Sequence, residues 1–338
     1  MKRDHGRRPA PGLRIAALAA VLPLVLAGCG GSSGDGGTIS WRLAETHPEG
    51  HPTVEADQWF ADELRERSNG RIDVTVYTDA QLGEERDVLE QIQLGSVEMT
   101  RTNANLVAEF VPTWEAFGMP YIFDGPEHFW AFLESEEGTA LMEDLSEGGF
   151  TGLAYYDSGA RSFYTTEQPV EEPSDLEGQN IRVQPGSLTA EAIEAMGGSA
   201  TAMDFSEVYS GMETGVIDGA ENNLPSYVST MHYEVAPEIA LNEHQRVPEV
   251  LLVGESVWQS LSEEDRELVR EVAAESSQKQ RELWAEETER SRGVLEENGV
   301  EIHEVEDKDP FREALAGVRE AHEDDLGEAL DAIEAARP

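Results

Sequence analysis

The sequence predicts an α/β protein of two lobes, each a mostly parallel sheet flanked by helices, with one long helix bracing both. Three observations carry this. Short apolar strand patterns alternate with helical segments of crossover length, the signature of parallel sheets with right-handed connections. A chain of 338 residues is long enough to bury two cores. The amphipathic run from Ser262 to about Glu297 is too long for a helix confined to one small lobe.

Residues 1–28 stand apart from either lobe. Lys2, Arg3, Arg7, Arg8 and Arg14 form a cationic start, Ile15 to Leu26 is apolar, and Leu26-Ala27-Gly28-Cys29 is a small-residue cleavage site ending in cysteine. This resembles a bacterial lipoprotein signal, and the apolar run is too short to span a bilayer comfortably. Cys29, the only cysteine, is then the lipid-modified first residue of an exported chain that has no internal disulfide. Residues 29–37, rich in glycine and serine, form a flexible tether. The expected location is extracytoplasmic, lipid-anchored in the periplasm or on the outer face of the cytoplasmic membrane.

The first lobe is expected over residues 38–160. Thr38 to Ala44 alternates as a strand, and Thr53 caps an amphipathic helix running to about Ser68. Between them His47 and His51 have the i, i+4 spacing of a metal pair. Two prolines and a glycine forbid the helix that would align them, so His47 reads as a hydrogen-bonding pocket residue or a surface loop histidine, and no metal is assigned. A second strand covers Arg71 to Tyr77. Glu84 and Glu85 open the next helix, where its dipole favours carboxylates whether or not they bind anything. Val97 to Asn103 is a third strand carrying Arg101 and Asn103 near its carboxyl end. Helices follow over 126–133 and 136–147, then a strand from Phe150 to Tyr156.

Gly159 turns the chain into a second lobe, expected over 161–247, with Arg161 opening its first extended segment. Within it Gly178 to Asn223 reads as strand, helix, strand, helix, strand. Arg182 and Gln184 stand at the end of the first strand, and Asn222 at the end of the last. Ligands of open α/β sheets collect at the carboxyl ends of strands, which makes this half of a pocket for a small carboxylate. Val247 to Gly254 reads as a strand returning to the first lobe, which also takes residues 248–285, while 286–305 rejoin the second. Residues 306–338 are expected to hold one acidic helix, Asp309 to Ala335.

Charge narrows the partners. Without residues 1–28, five of 24 basic and one of 69 acidic residues are lost, leaving 19 against 68 and a net charge of −49. Such a body repels nucleic acid and anionic membrane surfaces, so its membrane association is expected only through Cys29. It cannot draw an anion by its overall field and needs local arginines. Most of its arginines lie beside acid-rich helical segments, whereas Arg101, Arg161 and Arg182 stand in or beside strands.

These residues have a familiar order. The lipidation signal, His47-Pro48, Gln81-Leu82-Gly83, Gly159-Ala160-Arg161-Ser162-Phe163-Tyr164, Ile181-Arg182-Val183 and Asp218-Gly219-Ala220-Glu221-Asn222-Asn223 together resemble the extracytoplasmic solute-binding subunits of tripartite ATP-independent periplasmic (TRAP) transporters. The resemblance covers roughly Ile39 to Ile302. It implies a two-lobed periplasmic-binding-protein-like fold, a ligand carboxylate held by Arg182 with Arg161 and Asn222 assisting, and delivery to TRAP permease subunits by a monomer. His47-Pro48, the Glu84-Glu85 turn and Arg101 look like the branch that binds hexuronates such as glucuronate and galacturonate. His47, Glu84, Arg101, Asn103 and Gln184 would then serve the sugar hydroxyls. A C4-dicarboxylate or another organic acid is the alternative, with Arg101 as a second clamp.

Two other classes fit less well. An enzyme acting on sugar acids would need a nucleophile elbow, metal helix or phosphate loop, none of which appears, and Glu221 beside Asn222 is its only candidate general base. No cofactor is expected. An acidic adhesin gives no reason for arginines in three strands.

Overall fold

The computed structural model describes residues 38–185 and 188–338. The signal segment, Cys29, the tether, and Ser187 at the expected start of a helix lie outside the described residues. The chain runs β1 (Ile39–Ala44), α1 (Pro52–Arg67), β2 (Ile72–Tyr77), α2 (Glu85–Gln93), β3 (Met99–Asn103), α3 (Ala104–Val107), α4 (Pro126–Leu133), α5 (Glu136–Asp144) and β4 (Phe150–Tyr156). It continues with β5 (Arg161–Thr165), β6 (Asn180–Val183), α6 (Leu188–Ala195), β7 (Ser199–Ala202), α7 (Val208–Glu213), β8 (Gly219–Asn222), α8 (Leu224–Ser229) and β9 (Glu238–Gln245). The last elements are β10 (Glu249–Gly254), α9 (Glu255–Ser260), α10 (Glu263–Glu297), β11 (Ile302–Glu304), α11 (Asp309–Ala321) and α12 (Glu323–Ala335).

Two sheets result, ordered β2-β1-β3-β10-β4 and β11-β9-β5-β8-β6-β7. In the first only β10 opposes its neighbours, and in the second only β5 does. Both lobes are therefore mostly parallel, as expected. The strand expected from Val247 begins at Glu249, and it is the reversed one.

β9 breaks the sequence expectation. Asn242, His244 and Gln245 are all buried in it, and polar residues at core positions erase the alternation by which a strand is recognised. The cap of α1 is also not Thr53. The ring of His51 accepts from Thr53 N at 3.3 Å, and Pro52 occupies the first helical position, where a missing N–H costs nothing.

The lobes are joined where β4 leads to β5 and where β9 leads to β10. At the first crossing Gly159 has φ +63°, and an added Cβ would lie 2.9 Å from Trp284 Nε1, so glycine is required twice over. Trp284 belongs to α10, whose 35 residues reach about 52 Å. Its buried stripe of Val269, Val272, Ser276, Gln280, Trp284, Ser291 and Leu295 recurs at helical spacing. That stripe packs on α1 and β4 of the first lobe and α8 of the second, the bracing position expected from its length.

The C-terminal segment is two helices, not one, broken at His322. It is not a solvated acidic rod either. Phe311, Leu315, Val318, Leu326, Leu330 and Ile333 are buried, with α11 against α6 of the second lobe and α12 against residues 112–118 of the first.

Candidate functional site

The two reversed strands explain where charge collects. Because β5 opposes β8, its first residue, Arg161, arrives at the edge where β8 ends in Asn222. Because β10 opposes β3 and β4, its first residue, Glu249, faces Asn103 and Tyr156 at their carboxyl ends. Both edges border one cavity between the lobes. His47, Glu84, Glu85, Leu106 and Glu249 line it from the first lobe. Arg161, Arg182, Gln184, Asp204, Phe205, Asn222, Asn223 and Ser226 line it from the second.

The two arginines of the second lobe are in opposite situations. Arg161 is charge-paired and has four of its five N–H groups engaged: Nε donates to Glu221 Oε2, Nη2 to Glu221 Oε1 at 2.8 Å and to its backbone oxygen at 2.8 Å, and Nη1 to Asn222 Oδ1 at 3.0 Å. Burial alone would lower the pKa of this guanidinium, but the Glu221 charge outweighs it and raises it. Arg182 is 3% exposed, yet among the described residues only its Nε is engaged, donating to Met203 O at 2.8 Å, while the Phe205 ring lies 5.9 Å from its guanidinium carbon. No carboxylate pairs with it among the described residues, and burial draws its pKa below the ordinary value. A buried cation without a counter-ion is costly, and an arriving carboxylate removes that cost.

Arg101 and Asn103 lie behind the wall, outside the lining. Arg101 is fully buried and donates to Glu45 at 2.9 Å, Glu85 at 2.8 Å, Glu249 at 2.7 Å and Thr46 Oγ1 at 2.9 Å. Its guanidinium has no donor left for a ligand. Burial pushes the Glu45 and Glu85 carboxyls up, but Arg101 together with His47 and, at Glu85, the Asn103 N–H reverses this and holds both below their ordinary range. Asn103 caps α3 through Asn105 N at 3.0 Å and donates to Glu249 at 2.9 Å. Both residues build the floor that carries Glu85 and Glu249.

Contacts across the cleft join the lobes. Glu84, the N-cap of α2, accepts from Ser206 Oγ at 2.5 Å, and Asn105 Nδ2 donates to Gln184 Oε1 at 3.1 Å. His47 and His51 stack at 3.8 Å, and their Nε2 atoms lie 3.4 and 3.3 Å from Ser226 Oγ. His47 is thus a buried cleft residue. Burial, with Asp204 adding to it, raises the Glu84 carboxyl.

Of the residues the sequence singles out, His47, Glu84, Arg161, Arg182, Gln184 and Asn222 share the cavity. Asp204, Phe205, Asn223, Ser226 and Glu249 also line it and escape a sequence reading. In a chain with 69 acidic residues, a carboxylate opening a strand or sitting in a turn looks like surface. The usable signal is charge balance, since an arginine embedded in a strand demands a buried acid nearby.

Two α/β lobes joined by crossing strands and one bracing helix, closing on an uncompensated guanidinium, define a bilobal receptor for small anions. Comparison with known proteins agrees. The model of bacterial extracellular solute-binding protein, family 7, matches residues 43–324, and the chain belongs to that family. It is 40% identical over 273 residues to a solute-binding protein of Chromohalobacter salexigens, covering 81% of each chain. Among solved structures, a TRAP periplasmic solute-binding protein from Chromohalobacter salexigens with bound D-glucuronate superposes with TM-score 0.86 at 37% identity, covering 88% of this chain and 100% of that one. One from Xanthobacter autotrophicus Py2 with bound β-D-galacturonate gives TM-score 0.85 at 37% identity over the same shares. The protein is an extracytoplasmic solute-binding protein of the TRAP class.

Proposed function

We propose that this chain captures a hexuronate, D-glucuronate or D-galacturonate, by its carboxylate and delivers it to the membrane subunits of a TRAP transporter. The observation that carries this reading is the buried guanidinium of Arg182, which lines the cavity and has no carboxylate partner among the described residues. Two Nη donors on a planar fork match a carboxylate bidentately. Arg161 and Asn222 assist by keeping the adjoining wall polar, with one Nη1 hydrogen of Arg161 left over from its bonds to Glu221 and Asn222. His47, Glu84 and Gln184 supply the polar groups that a sugar ring needs, with Arg101 and Asn103 acting only through the floor they hold. The solved relatives named above, which hold hexuronates at comparable coverage, support the choice of acid. A C4-dicarboxylate is less well served, because Arg101, the clamp it would need, is consumed by three carboxylates.

We read the chain as a receptor that returns its ligand unchanged. Glu221, the one candidate general base, has both oxygens bound to Arg161. The lipid anchor rests on sequence alone. Palmitate labelling of the exported protein, lost in Cys29→Ser, tests it, and gel filtration of the mature chain tests the expected monomer. Thermal-shift titration with D-glucuronate and D-galacturonate tests the central reading. Ligand at about a hundredfold its Kd should stabilise by about 2.7 kcal/mol. The shift should vanish in Arg182→Ala, and no shift with either acid overturns the assignment.

A further inference from the structure

The charge inventory of the cavity selects among anions. Every guanidinium near it except Arg182 is already matched by the chain itself. Arg101 is held by Glu45, Glu85 and Glu249, Arg161 by Glu221, and Arg86 at the rim by Glu90 at 2.9 Å and Glu109 at 2.8 Å. Among the described residues one cation at the cavity is therefore uncommitted, enough for one carboxylate.

Two carboxylates in the lining are equally uncommitted. Glu84 comes from the first lobe and Asp204 from the second, both partly buried. Neither has a cationic partner among the described residues. Glu84 has only the Ser206 hydroxyl, which it meets across the cleft at 2.5 Å. Glu85 and Glu249, the other acids in the lining, differ, because Arg101, Thr46, Thr102 and Asn103 occupy their oxygens.

An ionised carboxylate accepts hydrogen bonds and donates none, so the part of a ligand that meets Glu84 and Asp204 must carry donors. Hydroxyl groups satisfy this. A second ligand carboxylate does not: it brings no donor, adds like charge in a partly desolvated site, and finds no free cation.

We propose that Glu84 and Asp204 are specificity residues that accept from the hydroxyl-bearing end of a monocarboxylate and exclude dianions of the same size. The proposal rests on the hexuronate reading above and narrows it to a monoanionic polyhydroxy acid.

The test compares D-glucuronate with D-glucarate, the same carbon chain with a carboxylate at both ends. Both are titrated calorimetrically at pH 8 into the mature wild-type protein, Glu84→Gln, Asp204→Asn and the double variant. Like-charge exclusion of several kcal/mol predicts that wild-type protein binds D-glucuronate at least about 100-fold more tightly. An amide both donates and accepts, so each variant should narrow that ratio by about tenfold, and the double variant more. Wild-type protein binding the two acids alike overturns this proposal while leaving the hexuronate site standing. Variants that lose D-glucuronate with no relative gain for D-glucarate overturn it as well. Wild-type protein that binds neither acid overturns the hexuronate reading and this proposal with it.

Discussion

Arg161 and Glu221 are buried side by side on neighbouring antiparallel strands, with Arg161 Nη2 bridging the carboxylate and the backbone oxygen of Glu221, each at 2.8 Å. The pair is internally neutral, so the carboxylate-binding power of this wall is muted by design of its own sequence. Arg182, on β6 beyond β8 in the same sheet, lacks such a mate among the described residues.

Glu221→Gln removes the negative charge and leaves Arg161 uncompensated. The unliganded protein should lose about 3 kcal/mol of stability. Carboxylate affinity should rise on the order of tenfold, because a second free cation now faces the cavity. Denaturant melts and calorimetric titration measured on the same variant check both halves, and a weaker Kd would show that Glu221 contributes to binding directly.

The sequence carried part of this and not the rest, for identifiable reasons. Arg182 between Ile181 and Val183 is visible as a cation in a buried strand, and its placement at a strand end follows from the crossover pattern. The same local signal marks Arg101, yet that residue is a structural hub, whereas Arg182 is the one we propose as the ligand donor. What separates them is long-range: Glu45 and Glu249 meet at Arg101 from opposite ends of the chain, which no local pattern reveals. β9 was hidden by its buried Asn242, His244 and Gln245, and the break at His322 by continuous helical periodicity on both sides.

That division of labour predicts opposite responses to the same substitution. Arg101→Lys keeps the charge but cannot supply the forked donors that reach Glu45, Glu85, Glu249 and Thr46 together. It should cost about 3–5 kcal/mol of stability, approaching the loss of a buried ion-pair partner. Arg182→Lys should change the unliganded melting temperature little and weaken hexuronate binding by about 10- to 100-fold, since a bidentate contact becomes a point charge. Equal destabilisation by both substitutions would contradict the assignment of roles.

Three buried histidines, His51, His232 and His244, are held below their ordinary range by burial and set how histidine protonation acts on the protein in mild acid. His232 Nδ1 and Tyr164 OH share a hydrogen bond at 2.8 Å, and His244 stacks on Phe163 at 4.3 Å. Burial lowers His232 to about 3 and His244 to about 4. An unfolded histidine titrates near 6.5, so below that pH the unfolded chain takes up protons that the folded one refuses. The histidine contribution to stability should therefore be steady above pH 7 and fall as pH drops from about 6.5 toward 4, by up to about 1.4 kcal/mol per pH unit for each histidine. Guanidinium melts at pH 7.5, 6 and 5 measure the slope, and His232→Gln should reduce it by about one proton.

The C-terminal pair of helices supplies the last prediction. α11 packs on α6 of the second lobe, and α12 packs on residues 112–118 of the first, with His128 donating from Nε2 to Ile333 O at 2.7 Å and Arg337 reaching Asp124 at 3.0 Å. α12 lies largely beyond residue 324, where the family match ends, so its packing is a feature of this chain that the family match does not cover. Leu330 is 2% exposed in a core shared with Trp114 and Phe117, and truncating it opens a cavity that a helix pinned at both ends cannot fill by collapse. Leu330→Ala should lower stability by about 2–5 kcal/mol while leaving the hexuronate Kd within about threefold of wild type, because no residue of α12 lines the cavity. A large loss of affinity with little loss of stability would instead make α12 part of the closing machinery, and parallel denaturant and calorimetric measurements on this one variant separate the two outcomes.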